Sequence, residues 1–309
     1  MQRLLRIPIL LVIMIGLTAA VLVKNDFDLT GSLVPADEIL SGGPPRDGIP
    51  AIDRPKFVRA GEADHVKPQD RVLGIERGNI AKAYPISIMN WHEIVNDRFG
   101  NDAIAVTYCP LCGTGMAFDA SVGNKPLNFG VSGLLYNSDV LLYDRQSQSL
   151  WSQIMRTAVS GPFKGTKLNS VPIMHTTWAD WKKRHPDTLV LSTDTGYRRD
   201  YQRNPYAGYE ANEGIIFPVK FRAQGYHPKE QVIGLEIDGK FKAYPFAELA
   251  KTSGEIADEV NGRHVTVRFD AEHRAGTVFD DKGRELPTVI AFWFAWYGFH
   301  PEAEIFHAK

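Results

Sequence analysis

The first regular pattern along the chain is a pair of short apolar runs joined by a turn. Residues 72–75 and 80–84 carry the apolar side chains, and Arg77-Gly78-Asn79 lies between them. Two strand-forming runs around a short turn that contains glycine are typical of a β-hairpin. Pro85 follows at once, and because proline suits the first turn of a helix, we predict a helix from residue 86 to about residue 95.

Strand patterns dominate the rest of the chain, with few helical ones. Thr177 and Asp180 have the spacing of a capping box, so a short helix is expected to begin at residue 178 and to end before Pro186. Strands are expected at residues 103–108, 115–118, 127–131, 140–143 and 189–191.

The hairpin pattern occurs twice. Residues 70–85 match residues 230–245 without a gap, and seven of the sixteen positions are identical. A second match, of residues 108–119 with residues 269–280, follows in the same order. Two copies are too few for a solenoid, so we predict a duplicated strand-hairpin-helix-strand unit, residues 70–119 and 230–280, inside one globular body.

These patterns predict an α+β fold: a β-rich single domain over residues 69–309, built on the duplicated unit. Residues 25–68 are rich in turn formers, including Gly42-Gly43-Pro44-Pro45, and show poor periodicity. We therefore interpret them as a tether or surface segment.

The N-terminus has the layout of a secretory signal or a membrane anchor. Arg3 and Arg6 precede residues 7–23, which carry no charge, and Lys24 follows. A stretch of this length lies near the lower limit for spanning a bilayer, so residues 1–24 are predicted to form a signal or a transmembrane helix. The leading arginines place the tip in the cytoplasm, and the body is expected to be membrane-anchored, periplasmic or extracellular.

The charge balance excludes one large class of partner. The 35 lysines and arginines nearly equal the 36 aspartates and glutamates. A general nucleic-acid binder needs a basic surplus, so nucleic acid is not an expected partner. The N-terminal helix makes the membrane a partner, and the residues identify neither a small-molecule nor a protein partner.

The sharpest chemical feature is Cys109-Pro110-Leu111-Cys112-Gly113. Two cysteines at this spacing, followed by glycine, form the knuckle that many zinc sites use. In an oxidising compartment the same pair also suits a redox dithiol or a small structural disulfide. In the second copy Asp270 and His273 take the places of the two cysteines, so this fold does not need the thiols to form the loop.

A metal site at this knuckle needs further ligands. His92 is our choice, because its predicted helix immediately precedes the strand that delivers Cys109. His300 is the alternative, since it shares one helical face with Trp293 and Trp296 in an aromatic segment near the end of the chain. A hydrogen-bonded core histidine is the plain alternative for either residue.

Three polar residues between the predicted strands are candidate catalytic groups. Ser138 and Asp139 could line a site, and Asp144 is a third candidate that could instead form a structural ion pair with Arg145. Turn residues that cap a strand explain these positions at least as well. Nucleophile-elbow, dinucleotide-binding, Walker and EF-hand patterns are lacking in the sequence.

Several of these motifs together resemble a known family. Residues 90–97 (NWHEIVND), 107–113 (TYCPLCG), 134–139 (LLYNSD) and 292–296 (FWFAW) resemble domain-of-unknown-function family 3179. The resemblance spans roughly residues 55–307. It implies a prokaryotic protein, often with an N-terminal signal or anchor, and carries no established activity.

Three functions follow as hypotheses. The first is an exported metal-binding protein, with an oxidoreductase as one form of it, that uses Cys109, Cys112 and His92 to hold zinc or copper, which thiolate and imidazole suit. The second is a metal-free thiol–disulfide redox or sensing protein. The third is a non-catalytic binding module with a structural disulfide. The sequence does not decide whether the protein is an enzyme.

Overall fold

A computed structural model describes residues 22–308, in which strands far outnumber helices. The four α-helices are short: α1 (Ile86–His92), α2 (Trp178–Arg184), α3 (Phe246–Leu249) and α4 (Trp293–Phe299), with one 3₁₀ turn at Ala60–Glu62. The strands up to residue 109 are β1 (Val23–Lys24), β2 (Phe27–Asp28), β3 (Ile39–Ser41), β4 (Phe57–Arg59), β5 (Arg71–Arg77), β6 (Ile80–Pro85), β7 (Ile94–Phe99) and β8 (Asp102–Cys109).

The middle of the chain adds β9 (Thr114–Asp119), β10 (Ser121–Val122), β11 (Lys125–Pro126), β12 (Phe129–Tyr136), β13 (Asp139–Asp144), β14 (Leu150–Ser152), β15 (Thr157–Ser160), β16 (Ser170–Val171), β17 (Met174–Thr177) and β18 (Leu189–Leu191). The last part holds β19 (Gln231–Ile237), β20 (Lys240–Pro245), β21 (Ile256–Val260), β22 (Arg263–Asp270), β23 (Ala275–Asp280), β24 (Glu285–Leu286), β25 (Val289–Phe292) and β26 (Glu304–Ile305). The prediction of a β-rich body with few helices is confirmed.

Four larger sheets organise these strands. Their orders are β17-β5-β6-β18-β4, β15-β14-β13-β12-β3, β21-β22-β23-β24 and β26-β20-β19-β25-β9-β8-β7, with β16 paired to β9 in the last. The pairing of β25 with β9 joins the two halves of the chain, because β9 lies in the first half and β25 near the end. The cysteine loop between β8 and β9 therefore lies beside residues from both halves.

The two segments of the sequence match have the same element order and pairing. Val72 pairs with Pro85 in the first hairpin, and Val232 pairs with Pro245 in the second. Each hairpin continues into a helix and then into an antiparallel pair, β8 with β9 and β22 with β23.

The correspondence reaches beyond the segments that the sequence match identified. Strands β17 and β25 pair antiparallel with β5 and β19, and each leads into a tryptophan-rich helix, α2 or α4. Trp181 of α2 lies over Gly74, and Trp296 of α4 lies over Gly234. The sequence comparison missed this part because Trp178-Ala-Asp-Trp181 and Trp293-Phe-Ala-Trp296 share little besides the tryptophans.

The predicted tether is wrong, because residues 25–68 are built into the body. Strand β3 pairs with β12, and β4 pairs with β18. Phe27, Leu29 and Ile39 are almost completely buried, so this segment contributes to the core.

The predicted anchor, residues 1–24, falls largely outside the described residues. Of it, only Leu22, Val23 and Lys24 are described, and the last two form β1, which pairs with β2. Within residues 22–308, the four helices are all too short to cross a membrane.

One helix boundary also differs from the prediction. Helix α1 ends at His92, and Glu93 takes a left-handed backbone conformation with φ 58°. Strand β7 begins at the next residue, because Ile94 and Val95 are β-branched and favour extended backbone.

Candidate functional site

The cysteine knuckle is a tight loop between β8 and β9. Cys109 ends β8, and the Cys112 N–H donates to the Cys109 carbonyl at 3.2 Å. Gly113 has φ 60°, and a Cβ at that position would lie 2.7 Å from the Phe292 ring. Glycine is therefore required here both for the backbone conformation and for the space.

A second turn brings a carboxylate to the same place. Asn137 and Ser138, with φ 49° and 66°, form the two-residue turn between β12 and β13, and asparagine tolerates this left-handed geometry well. The turn directs the Ser138 carbonyl at Cys112 Sγ, 3.2 Å away. It also places Asp139 so that one carboxylate oxygen and both sulfurs lie within 4.8 Å of one another.

The grouped atoms are buried and only partly satisfied. Cys109 and Cys112 are both free thiols with almost no exposure, and Asp139 is fully buried. Asp139 Oδ2 accepts the Ile154 N–H at 3.1 Å, whereas Asp139 Oδ1 and Ser138 Oγ find no hydrogen-bond partner among the described residues. A buried polar atom without a partner costs about 1–3 kcal/mol, which a bound ligand would offset.

Burial makes the site hold its protons tightly. It raises the pKa of both cysteine thiols and raises the pKa of Asp139 to about 7. Burial, reinforced by the negative charge of Asp139, raises the pKa of the Glu93 carboxyl to about 8. Four acidic groups thus share a region of low polarity, where a cation would strongly favour their deprotonated forms.

The structure does not bring His92 to the cysteines. One ring nitrogen, Nδ1, lies 2.7 Å from the Pro50 carbonyl oxygen, and the other, Nε2, lies 2.7 Å from the Tyr201 hydroxyl. Both nitrogens therefore have partners elsewhere. Glu93, the next residue, lies close enough to Asp139 for the Asp139 charge to raise the pKa of the Glu93 carboxyl.

His300 also lies elsewhere, in an aromatic stack. Its ring centroid is 3.9 Å from that of Phe241 and 4.4 Å from that of Trp296. Burial, with a smaller effect of the Arg156 charge, lowers the His300 pKa to about 4.

His300 should make the protein less stable in mild acid. Its folded-state pKa, about 4, lies below the ordinary value of 6.5, so the unfolded chain binds the proton first as the pH falls. The stabilisation is complete above pH 6.5 and is lost towards pH 4, by about 2 kcal/mol down to about pH 4.5. Urea unfolding of the wild type and of His300→Phe, at about pH 6.5 and about pH 4.5, measures the effect. The free energy of unfolding should fall less for the variant than for the wild type; an equal fall would contradict the prediction.

Asp144, the third catalytic candidate, has a structural role. Its carboxylate accepts hydrogen bonds from the Ser147 N–H and hydroxyl and from Trp151 Nε1. Ser138 and Asp139, in contrast, lie beside the thiols.

A long segment without helix or strand covers the cysteine site, and the sequence reasoning missed it. Between β18 and β19, Tyr206 and Tyr209 approach closely enough that the cysteine charges raise both phenol pKa values, although burial is the larger cause. A loop of this length is usually functional. Four of its five tyrosines, at positions 197, 201, 206 and 209, lie close together in the sequence and were the available signal.

A second group of possible ligands is already paired. Asp270 and His273 align with the two cysteines in the sequence match, and they lie within 4.8 Å of Asp180. Arg184 Nε and the Thr176 hydroxyl both bond the Asp180 carboxylate, and Thr177 Oγ1 lies 2.9 Å from His273 Nδ1. The adjoining cavity, of about 590 Å³, is larger than the cavity of about 300 Å³ beside the cysteine loop, but its lining does not include Ser138 or Asp139.

Comparison with known proteins identifies the family. Residues 46–285 match the model of a family of proteins of unknown function, DUF3179, which is more than half of the chain. The chain therefore belongs to this family. Searches of the curated proteins and of the solved structures found no match to this chain.

Proposed function

We propose that this protein is an exported metal-binding protein whose centre is held by Cys109, Cys112 and Asp139. The observation that carries the proposal is the grouping of two free thiols and one carboxylate oxygen of Asp139 within 4.8 Å, all buried, together with an Asp139 Oδ1 that has no hydrogen-bond partner among the described residues. Asp139 replaces His92 as the third ligand of the hypothesis.

The spacing of the donor atoms supports a single ion. Zinc binds thiolate sulfur at about 2.3 Å and carboxylate oxygen at about 2.0–2.2 Å in a tetrahedron, so neighbouring donors lie about 3.4–3.8 Å apart. Donors that already lie within 4.8 Å of one another need only small side-chain rotations to reach these positions.

The charges support the same conclusion. Two thiolates and a carboxylate carry three negative charges, which a buried site cannot hold without a cation. A divalent ion that displaces the three protons leaves the site with a single net negative charge. The nearby Glu93 carboxyl adds none while it is protonated. Soft thiolates favour zinc or copper over magnesium and calcium.

Elemental analysis of the purified full-length protein tests the proposal directly. Zinc or copper at about one ion per chain, with thiols that react only after chelation, would support it. Metal-free protein that stays metal-free when zinc is added would contradict it.

The second candidate is a metal-free thiol–disulfide protein. This function is favoured because the two cysteines are free thiols whose sulfurs lie within 4.8 Å of each other. Their raised pKa values oppose it, because the thiolate is the reactive form. Reversible loss of both thiols on mild oxidation, in protein that binds no metal, would select this function.

We also propose that the body lies outside the cytoplasm, held by the N-terminal segment. Arg3, Arg6 and the uncharged residues 7–23 support this orientation. Alkaline phosphatase fused after Lys309 should therefore be active. An inactive phosphatase together with a fluorescent cytoplasmic fusion would reverse the topology.

The two similar units support a further proposal, that they arose by duplication of one strand-hairpin-helix-strand unit. The matched hairpin registers and the matched tryptophan–glycine packing support it. In this view the two copies differ at the loop: the first carries the thiols, whereas in the second His273 contacts Arg71 and Thr177 of the first half.

A further inference from the structure

A cavity of about 300 Å³ adjoins the cysteine loop on its outer side. Tyr108 and Pro110 of the loop form part of its wall, and Tyr206, Tyr209, Asn90 and Arg71 line it as well. The volume suits a small molecule. Because Tyr108 and Pro110 flank Cys109 in sequence, a ligand here would lie beside the proposed metal centre.

Arg71 brings a largely buried positive charge to this cavity. Its guanidinium donates to the backbone carbonyls of His273 and Arg274, and within residues 22–308 it forms no ion pair with a carboxylate. A guanidinium has five N–H donors, so these two contacts leave others free. Burial and the nearby Arg274 lower its pKa to about 10, so Arg71 remains charged at neutral pH.

Phenol hydroxyls supply further donors. The Tyr209 hydroxyl is buried without a hydrogen-bond partner, and the hydroxyls of Tyr108 and Tyr206 likewise make no hydrogen bond in the described part of the chain. A phenol hydroxyl is protonated at neutral pH, so all three can donate a hydrogen bond.

The charged residues around the cavity have a small positive excess. Lys67, Arg71 and Arg203 line it together with Asp70 and Glu210. One oxygen of Asp70 accepts the Lys67 backbone N–H, and the Glu210 carboxylate, like Lys67 and Arg203, is exposed to solvent. Glu210 lies close enough to Arg71 for its charge to favour the charged guanidinium, but it forms no ion pair with Arg71 within residues 22–308. Three positive and two negative side chains thus line the cavity.

We propose that this cavity binds a small oxyanion, a carboxylate or phosphate group, through the Arg71 guanidinium and the hydroxyls of Tyr108 and Tyr206. Charged donors bind such groups strongly, because their hydrogen bonds are charge-assisted. The role of the anion as substrate rests on the proposed metal centre, but its binding does not.

Inorganic phosphate and acetate are suitable probes for the full-length protein in detergent. The ³¹P resonance of phosphate should broaden saturably, and acetate should reverse the broadening more than chloride at equal ionic strength. Reversal by acetate indicates a shared oxyanion site, whereas phosphate binding without reversal restricts the site to phosphate. Broadening that chloride abolishes equally would overturn the proposal.

Variants locate the site and separate it from the metal. Tyr206→Phe and Tyr108→Phe each remove one oxygen and should weaken phosphate binding about three- to tenfold, and Arg71→Gln by about tenfold or more. Tyr197→Phe, an exposed phenol outside this cavity, is the matched control. Unchanged affinity in both cavity phenol variants would refute the proposal even if Arg71→Gln does not fold.

The double variant Cys109→Ser/Cys112→Ser completes the test. It should bind phosphate as the wild type does, because the anion site does not include the thiols. If this variant loses phosphate binding while the phenol variants keep it, the anion binds the metal centre instead, and the cavity proposal is wrong. Failure of the metal proposal alone would leave phosphate binding intact.

Discussion

Replacing Cys109 and Cys112 together by serine should yield protein without bound zinc or copper, whereas the wild type should carry about one ion per chain. The reason is that a serine hydroxyl does not ionise near neutral pH and is a poor ligand for these soft metals. Asp139→Asn should weaken the binding of added zinc about tenfold or more, since a neutral amide replaces the third anionic ligand. Elemental analysis, and zinc titration against a competing chelator, measure both effects.

His92→Gln is the matched control for these variants. His92 is the last residue of helix α1, and its two ring nitrogens contact the Pro50 carbonyl and the Tyr201 hydroxyl rather than the cysteine site. The metal content of the variant should equal that of the wild type. Loss of metal from the His92 variant, with Asp139→Asn unaffected, would restore the histidine as ligand and remove the carboxylate.

Metal binding should also stabilise the folded protein. A ligand at about 100 times its dissociation constant adds about 2.7 kcal/mol to the free energy of unfolding. Added zinc should therefore raise the unfolding midpoint of metal-free wild type and leave that of the double cysteine variant unchanged. Equal shifts in both proteins would show that zinc acts away from the cysteines.

Local patterns in the sequence predicted the hairpins and the cysteine knuckle, because each depends on neighbouring residues. The turn at Arg77-Gly78-Asn79 and the helix capped by Thr177 are examples, and the structure has both. The helix predicted up to residue 95 failed because its end depends on the left-handed Glu93. Only a side chain that tolerates this conformation, in a suitable tertiary environment, ends the helix there.

The residues that surround the two cysteines were harder to predict than the cysteine pair itself. Asp139 was singled out as a polar candidate, but its approach to the cysteines requires the β12–β13 turn to fold over the knuckle, which no local pattern encodes. Proximity in sequence suggested His92, but both its ring nitrogens have partners away from the cysteines, and the neighbouring Glu93 carboxyl is the group that the Asp139 charge affects. Tertiary packing, rather than residue type, decides which of two neighbouring side chains reaches a site.

Gly74→Ala and Gly234→Ala should each destabilise the fold by about 3 kcal/mol, at the upper end of the usual cost of overpacking. A methyl group at either position would overlap a buried indole ring, that of Trp181 in the first case and that of Trp296 in the second. The rings cannot move away easily, because both are almost completely buried and the strands beneath them are paired on both sides. Urea unfolding at neutral pH measures the loss.

Gly61→Ala is the control, since a Cβ there meets no atom within 4 Å and the residue has no left-handed backbone. It should change the free energy of unfolding by less than about 0.5 kcal/mol. Adding Trp181→Leu to Gly74→Ala should cost less than the sum of the two single changes, because the smaller side chain relieves the overlap. If the costs of Gly74→Ala and Trp181→Leu were strictly additive, the strain would lie elsewhere. If only one of the two glycine variants lost stability, the two tryptophan–glycine contacts would not be equivalent in energy, and the case for duplication would be weaker.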